Sequence, residues 1–89
     1  MKKLLFVLLL LNIKYSQELH YVEAGNYYYS PEVLNITVGD TVEWYNAGGY
    51  HDVEIVSGPE LLSLPPISGP ATIGQLVFSL EGTYDYICS

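Results

Sequence analysis

The sequence predicts one all-β domain, folded as a sandwich of two sheets. From Leu19 onward, short runs rich in apolar and β-branched residues alternate with period two, turn residues separate the runs, and no stretch shows helical periodicity. A length of 89 residues suits one small domain and not two. Hydrophobic residues make up 49% of the chain, which disfavours disorder.

The N-terminal segment differs from the rest. A positive start (MKK) is followed by an apolar run from Leu4 to Leu11, and polar residues begin at Asn12. This layout predicts a secretory signal peptide over residues 1–16, because the run is shorter than the roughly 20 residues that span a bilayer. We place the cut near Ser16, although a cut after Ala24 fits the small-residue rule better and would fall inside a predicted strand. The alternatives are an uncleaved N-terminal anchor and a buried strand of the domain.

Seven strands are expected in the body, 17–89. Their predicted ranges are 19–24, 27–31, 32–38, 41–46, 52–56, 73–80 and 83–88. Turn residues such as Gly39-Asp40 and Glu81-Gly82 separate them. Residues 57–72 hold four prolines and two glycines, which predicts an irregular crossing with a short helical turn at Glu60–Leu62.

Alternation within these strands also predicts a core. The side chains expected on inward faces are those of Leu34, Ile36, Val38, Val42, Trp44, Val53, Ile55, Leu76, Phe78, Leu80, Tyr84, Tyr86 and Cys88. The sequence stops at Ser89, directly after the last strand, which would leave an apolar sheet edge open. We therefore expect that a further strand is missing.

Charge is divided sharply along the chain. All three basic residues lie in 1–16 and all ten acidic residues follow, for a net charge of -7. A body without Lys or Arg cannot release counterions from a phosphate backbone, so nucleic-acid binding is excluded. Adsorption to anionic lipid is excluded for the same reason, which leaves membrane contact only through the signal or an uncleaved anchor.

Two side chains could bind a soft or borderline metal. His51 opens a strand after a glycine loop and Cys88 closes the last strand, so one end of the sandwich could bring them together. By side-chain type alone, an ordinary surface histidine and a small buried cysteine are the more common roles. The single Cys excludes an internal disulfide.

No Ser-His-Asp arrangement or phosphate loop is visible, so we expect no enzyme activity.

Three sequence runs carry a family resemblance. PxxLxIxxGDTVxWxN at 31–46, AGGYHDV at 47–53 and FxxxGTYxYxCS at 78–89 resemble the cupredoxins, and are most similar to the plastocyanin, amicyanin and pseudoazurin branch of type 1 (blue) copper proteins. The resemblance covers residues 19–89. It implies a Greek-key β-sandwich from which the final ligand loop and the last strand are missing.

The resemblance also implies a copper site. His51 and Cys88 match two copper ligands of the family, whereas the second His and the axial Met would follow beyond Ser89; His20 and Met1 are poor substitutes. Asp52 and Ser89 match supporting positions, and we expect the Asp52 carboxylate to accept a hydrogen bond from Ser89.

The implied function is that of an exported, periplasmic or extracellular, monomeric one-electron carrier using Cu⁺/Cu²⁺. The acidic body would favour redox protein partners with basic docking surfaces. Two alternatives remain: a copper-free binding or structural module on the same scaffold, and the N-terminal part of a larger copper oxidoreductase.

Overall fold

The computed structural model describes residues 2–8 and 17–88, and within 2–8 it describes the backbone and the Leu5 side chain. Over these residues the chain forms nine strands and no helix. The strands are β1 (Lys2–Leu8), β2 (Leu19–Gly25), β3 (Tyr28–Ser30), β4 (Val33–Thr37), β5 (Thr41–Asn46), β6 (Tyr50–Ser57), β7 (Ser63–Ser68), β8 (Ala71–Val77) and β9 (Gly82–Ile87). The described part of the chain thus offers no helix that is long and apolar enough to cross a bilayer.

The strands form two sheets, which confirms the predicted all-β sandwich. One sheet has the order β4-β1-β9-β6-β7 and the other the order β3-β2-β5-β8. The pairs β1–β4 and β2–β5 are parallel, and the other pairs are antiparallel. Strands that follow each other in the chain, such as β4 and β5, therefore lie in different sheets. The segments that join them connect the two sheets.

The core between the sheets contains most of the residues that the alternation placed inward. Trp44, Val42, Val53, Phe78 and Tyr84 are fully buried. Aromatic rings in this core meet edge to face, as in the Phe78–Tyr84 pair, whose ring centroids lie 4.9 Å apart. Burial of each large apolar side chain contributes roughly 1.5–3 kcal/mol.

Leu80 does not join this core. Half of its surface is exposed, because β8 ends at Val77 and the chain turns before Leu80. The prediction of an inward Leu80 is therefore wrong.

The segment from 57 to 72 is more regular than the sequence indicated. Instead of a helical turn at Glu60–Leu62, the chain bends at Glu60 and has no regular structure at 61–62, and the Leu62 carbonyl accepts a hydrogen bond from the Ile55 N–H at 2.9 Å. Strand β7 follows, although it contains Pro65 and Pro66. It is an edge strand that pairs with β6 alone, where missing backbone donors are tolerated.

Strand β1 lies inside the segment that we interpret as a signal peptide. It is placed between β4 and β9, and its Leu5 side chain is buried in the core. This is the arrangement of the alternative in which the apolar run is a strand of the domain. The predicted cut near Ser16 lies outside the described residues, so removal of 1–16 stays a prediction.

Candidate metal centre

His51 and Cys88 are neighbours in the structure. His51 lies at the start of β6 and Cys88 directly follows the end of β9. These two strands pair antiparallel, with Glu54 opposite Ile87, so the start of one meets the end of the other. The Cys88 Sγ atom lies 3.7 Å from His51 Nδ1. The structure thus brings together the two side chains that the sequence singled out.

Asn46 shapes the loop that precedes His51. Its buried side chain donates from Nδ2 to the carbonyls of Gly49 and Ile67, each at 2.8 Å. Its Oδ1 accepts from the Gly48 N–H, also at 2.8 Å. An Asn side chain can replace backbone partners in this way because it offers both donors and an acceptor. Two of these bonds hold the loop before β6 begins, and the third connects Asn46 to Ile67 on β7.

This loop fixes the orientation of the His51 ring. Nε2 lies 2.8 Å from the Gly48 carbonyl oxygen, which can only accept a hydrogen bond, so Nε2 carries the proton. In the neutral ring Nδ1 then has the free lone pair, and Nδ1 is the atom that faces Cys88. A backbone carbonyl that selects the tautomer is the usual support of a metal-binding histidine.

Asp52 connects the two sides of this centre. It is buried next to His51, and its backbone and side chain hydrogen bond to the Cys88 thiol. Burial raises the pKa of the Cys88 thiol; the bond from the Asp52 backbone opposes that rise, whereas the Asp52 carboxylate adds to it. The expected bond from Asp52 to Ser89 remains a prediction, because Ser89 lies outside the described residues.

Tyr29 is a neighbour of the centre that sequence reasoning did not assign. Its hydroxyl donates to the Asp52 carbonyl at 3.1 Å and is hydrogen bonded to the Cys88 side chain. Burial, followed by the nearby Cys88, raises the pKa of this phenol well above its ordinary value. No pattern in the Tyr27–Tyr29 run marks one of the three rings, since the packing of the two sheets decides which is buried.

The remaining histidine is engaged elsewhere. His20 Nε2 lies 2.8 Å from Asp40 Oδ2, in a hydrogen bond between β2 and the turn before β5. Over residues 2–8 and 17–88, no three His, Cys, Asp or Glu side chains are grouped closely enough to hold a metal ion. The described centre therefore consists of one nitrogen donor and one sulfur donor.

Comparison with known proteins shows which proteins the chain resembles in sequence and in fold. No family model matches the chain. The chain is 39% identical over 67 residues to amicyanin from Paracoccus denitrificans, which covers 70% of this chain and 49% of amicyanin. It superposes on a copper-containing nitrite reductase from Thermus scotoductus SA-01 with a TM-score of 0.65 and 32% identity. The chain has a cupredoxin-type blue copper fold.

The extent of the two matches differs. The nitrite reductase match covers 79% of this chain and 19% of the enzyme. The chain spans about half the length of amicyanin, a curated relative that it matches. The assignment of His51 and Cys88 as copper ligands, which the sequence resemblance implies, stays a prediction.

Proposed function

We propose that the protein is an exported one-electron carrier, in which His51 and Cys88 supply two of the ligands of a type 1 copper. The observation that carries the proposal is the 3.7 Å approach of Cys88 Sγ to the unprotonated Nδ1 of His51. A type 1 set combines two histidines with a thiolate and a weak axial ligand. The second histidine and the axial ligand are not among the described residues.

The residues present fit such a metal. Imidazole nitrogen and thiolate sulfur together select copper or zinc over the hard cations that prefer oxygen. When bound, copper supplies reversible one-electron redox chemistry. The Gly48 carbonyl keeps Nδ1 free and directed at Cys88, and the Asp52 backbone bonds to the Cys88 thiol. Both donors are thus oriented before a metal enters.

Metal titration of the chain tests the ligand assignment. Because the described centre offers two donors, we would add imidazole as an external third ligand and titrate Cu(II) into the reduced protein. We expect an intense visible band from thiolate-to-copper charge transfer. Co(II), which does not oxidise thiols, serves as a second probe, since a solvent-exposed copper thiolate is prone to oxidation.

Variants make this titration specific. Cys88→Ser and His51→Gln are expected to lose the band, whereas His20→Gln is the matched control because His20 bonds Asp40 instead. A band that survives in Cys88→Ser would contradict the assignment. A folded wild-type protein that gives no band with either metal would favour the copper-free module.

A second candidate is a domain of a larger copper oxidoreductase. It is favoured by the superposition on a nitrite reductase of which this chain matches 19%. An electron carrier delivers one electron per copper and stops, whereas a reductase consumes nitrite in repeated turnovers. Nitrite loss measured with excess reductant separates the two candidates.

Redox partners of the carrier are expected to present basic docking surfaces. The described residues 17–88 contain no Lys or Arg, so their charged side chains are acidic apart from any protonated histidine. A complementary positive surface would speed the encounter and orient it.

A further inference from the structure

We propose that the outer face of the four-stranded sheet is a docking surface for an extended protein segment that carries arginine at alternate positions. This face consists of Leu19, Tyr21 and Glu23 on β2, Glu43 and Tyr45 on β5, and Val77 on β8. The inference rests on the proposed basic partner, to which it adds the place and the side chain of contact. It does not require copper, because the metal ligands are proposed on strands of the other sheet.

Strand register makes the tyrosines and glutamates of this face neighbours. In the parallel pair of β2 and β5, Tyr21 lies opposite Glu43 and Glu23 lies opposite Tyr45. Side chains on adjacent strands at such positions are close enough to contact the same ligand. The face therefore contains two pairs, each of one aromatic ring and one carboxylate, which are two residues apart along the strands.

Exposed apolar surface is concentrated on the same face. Tyr21 is 62% exposed and Tyr45 is 42% exposed. Leu19 and Val77 are 42% and 55% exposed, and both lie opposite Thr41 in the register. Single exposed apolar side chains are common, whereas a group of them on adjacent strands is typical of a surface that binds another molecule.

Both carboxylates are positioned by neutral donors. Gln75 Nε2 donates to Glu43 Oε1 at 2.7 Å, and the Tyr28 hydroxyl donates to Glu23. These bonds orient the carboxylates and leave their negative charge, and residues 17–88 contain no Lys or Arg that could neutralise it. A cation supplied by another molecule is therefore complementary to this face.

Arginine fits these pairs better than lysine does. A guanidinium group is planar, so it can stack on a tyrosine ring and donate two parallel hydrogen bonds to a carboxylate. A lysine ammonium is a strongly hydrated point charge that offers no such plane. The two pairs are separated by one strand repeat of roughly 6.6 Å, which is also the spacing of alternate side chains in an extended partner segment.

Peptide titration of the metal-free full chain tests the proposal. The probes are blocked peptides of sequence SRSRS and SKSKS, which have equal charge, and binding is followed by the amide chemical shifts of the ¹⁵N-labelled protein. Salt is held at about 0.1 M to screen distant charges. We expect shifts in β2 and β5, and at least about threefold tighter binding of the arginine peptide.

Two double variants separate local contacts from net charge. Glu23→Gln/Glu43→Gln should weaken binding of the arginine peptide at least about fivefold, because both carboxylates of the face are lost. Glu54→Gln/Glu81→Gln removes the same charge from exposed positions outside the face and should change the affinity by less than about twofold.

A tyrosine variant tests the role of the ring. Tyr21→Leu keeps an apolar side chain on the face and should abolish the preference for arginine over lysine. Tyr50→Leu is the control, since Tyr50 is 67% exposed on β6 of the other sheet. These measurements decide the question even if the glutamate double variant does not fold.

Four results would overturn the proposal. The first is the absence of binding to the wild type at millimolar peptide, and the second is equal binding of the two peptides. The third is an equal loss of affinity in the two double variants, which would show an effect of net charge alone. The fourth is a set of shifts in β2 and β5 on dilution without peptide, which would assign the face to a second copy of this chain. Because no metal is present, each of these results is separate from failure of the copper assignment.

Discussion

Asp40 is a buried carboxylate on which three donors converge. It is 3% exposed and accepts hydrogen bonds from the N–H groups of Glu18 and Thr37 and from His20 Nε2. Burial opposes its ionisation, but the bonds from His20, Glu18 and Thr37 outweigh burial and hold the pKa of Asp40 below its ordinary value of 3.8. The ionised carboxylate therefore stabilises the start of β2 and the turn before β5.

Replacement of this carboxylate should cost stability in a pH-dependent way. Because the pKa of Asp40 is lowered in the folded state, its contribution is complete above the unfolded pKa and is lost as pH falls through the folded pKa. Asp40→Asn should lower the free energy of unfolding by about 1–3 kcal/mol at neutral pH. The difference from the wild type should shrink below about pH 4.

Urea unfolding followed by Trp44 fluorescence measures this effect, since Trp44 is the single tryptophan and is fully buried. Glu54→Gln, at an exposed position of β6, is the matched control and should change the free energy of unfolding by less than about 0.5 kcal/mol. If the free energy of unfolding of Asp40→Asn stayed below that of the wild type by the same amount at acidic pH, the role of ionised Asp40 would be contradicted.

At the scale of elements, the loop between β5 and β6 depends on one of its two glycines. Gly49 has a φ of +89°, and a Cβ atom there would lie 2.8 Å from Asn26 Oδ1 and 2.9 Å from His51 Nε2. At Gly48 a Cβ atom would meet nothing within 4 Å. The two adjacent glycines therefore differ both in backbone strain and in their distance from the proposed metal ligand.

Alanine at these positions should have unequal effects. Gly49→Ala should lower the free energy of unfolding by about 1–3 kcal/mol, because it forces a side chain into a left-handed conformation. It should also weaken metal binding, because the new Cβ atom displaces the His51 ring. Gly48→Ala should leave both properties nearly unchanged.

Chemical denaturation and Co(II) titration of the two variants measure the effects separately. If both variants lost the same free energy of unfolding and the same metal affinity, the loop would tolerate alanine at neither position. The contact with His51 would then not be the cause.

The same scale shows what the sequence could and could not predict. Period-two alternation placed Val42, Trp44 and Val53 inward because each face of a strand meets either the core or water. Strand β7 was missed because Pro65 and Pro66 argue against a strand, whereas the edge position that permits them depends on the tertiary fold. Likewise, no local pattern distinguishes the buried Tyr29 from the exposed Tyr27.

The candidate site likewise has one part that the sequence predicted and another that it did not. The loop and strand motifs predicted that His51 and Cys88 come together, because their positions follow from the order of the strands. The contacts of Tyr29 with Asp52 and Cys88 depend on the packing of the two sheets, which a single sequence does not specify.

At the scale of the whole molecule, the net charge of -7 should govern encounters with partners. We expect the rate of electron transfer to a basic redox protein, measured by stopped flow on the metal-loaded protein, to fall at least about tenfold between low and physiological salt. An acidic redox protein is the control, and its rate should rise with salt. If the electron-transfer rate did not depend on salt with either partner, charge would have no role in recognition.

The same charge should oppose folding. The acidic side chains of 17–88 have no Lys or Arg partner within that range, and His20–Asp40 is an ion pair only when His20 is protonated. Repulsion among the acids acts across a radius of gyration of 12.7 Å, which is comparable with the Debye length of about 10 Å at 0.1 M salt. Compaction therefore brings like charges to separations at which added salt weakens their repulsion.

Added NaCl should consequently stabilise the folded protein. We expect the free energy of unfolding to rise between about 0.01 and 0.15 M NaCl, as the Debye length falls from about 30 Å to about 8 Å. The double variant Glu54→Gln/Glu81→Gln neutralises two exposed acids and should show a smaller rise than the wild type. Urea unfolding at each salt concentration measures both proteins. If salt instead lowers the stability, repulsion among the acidic side chains would not be the dominant effect of charge on folding.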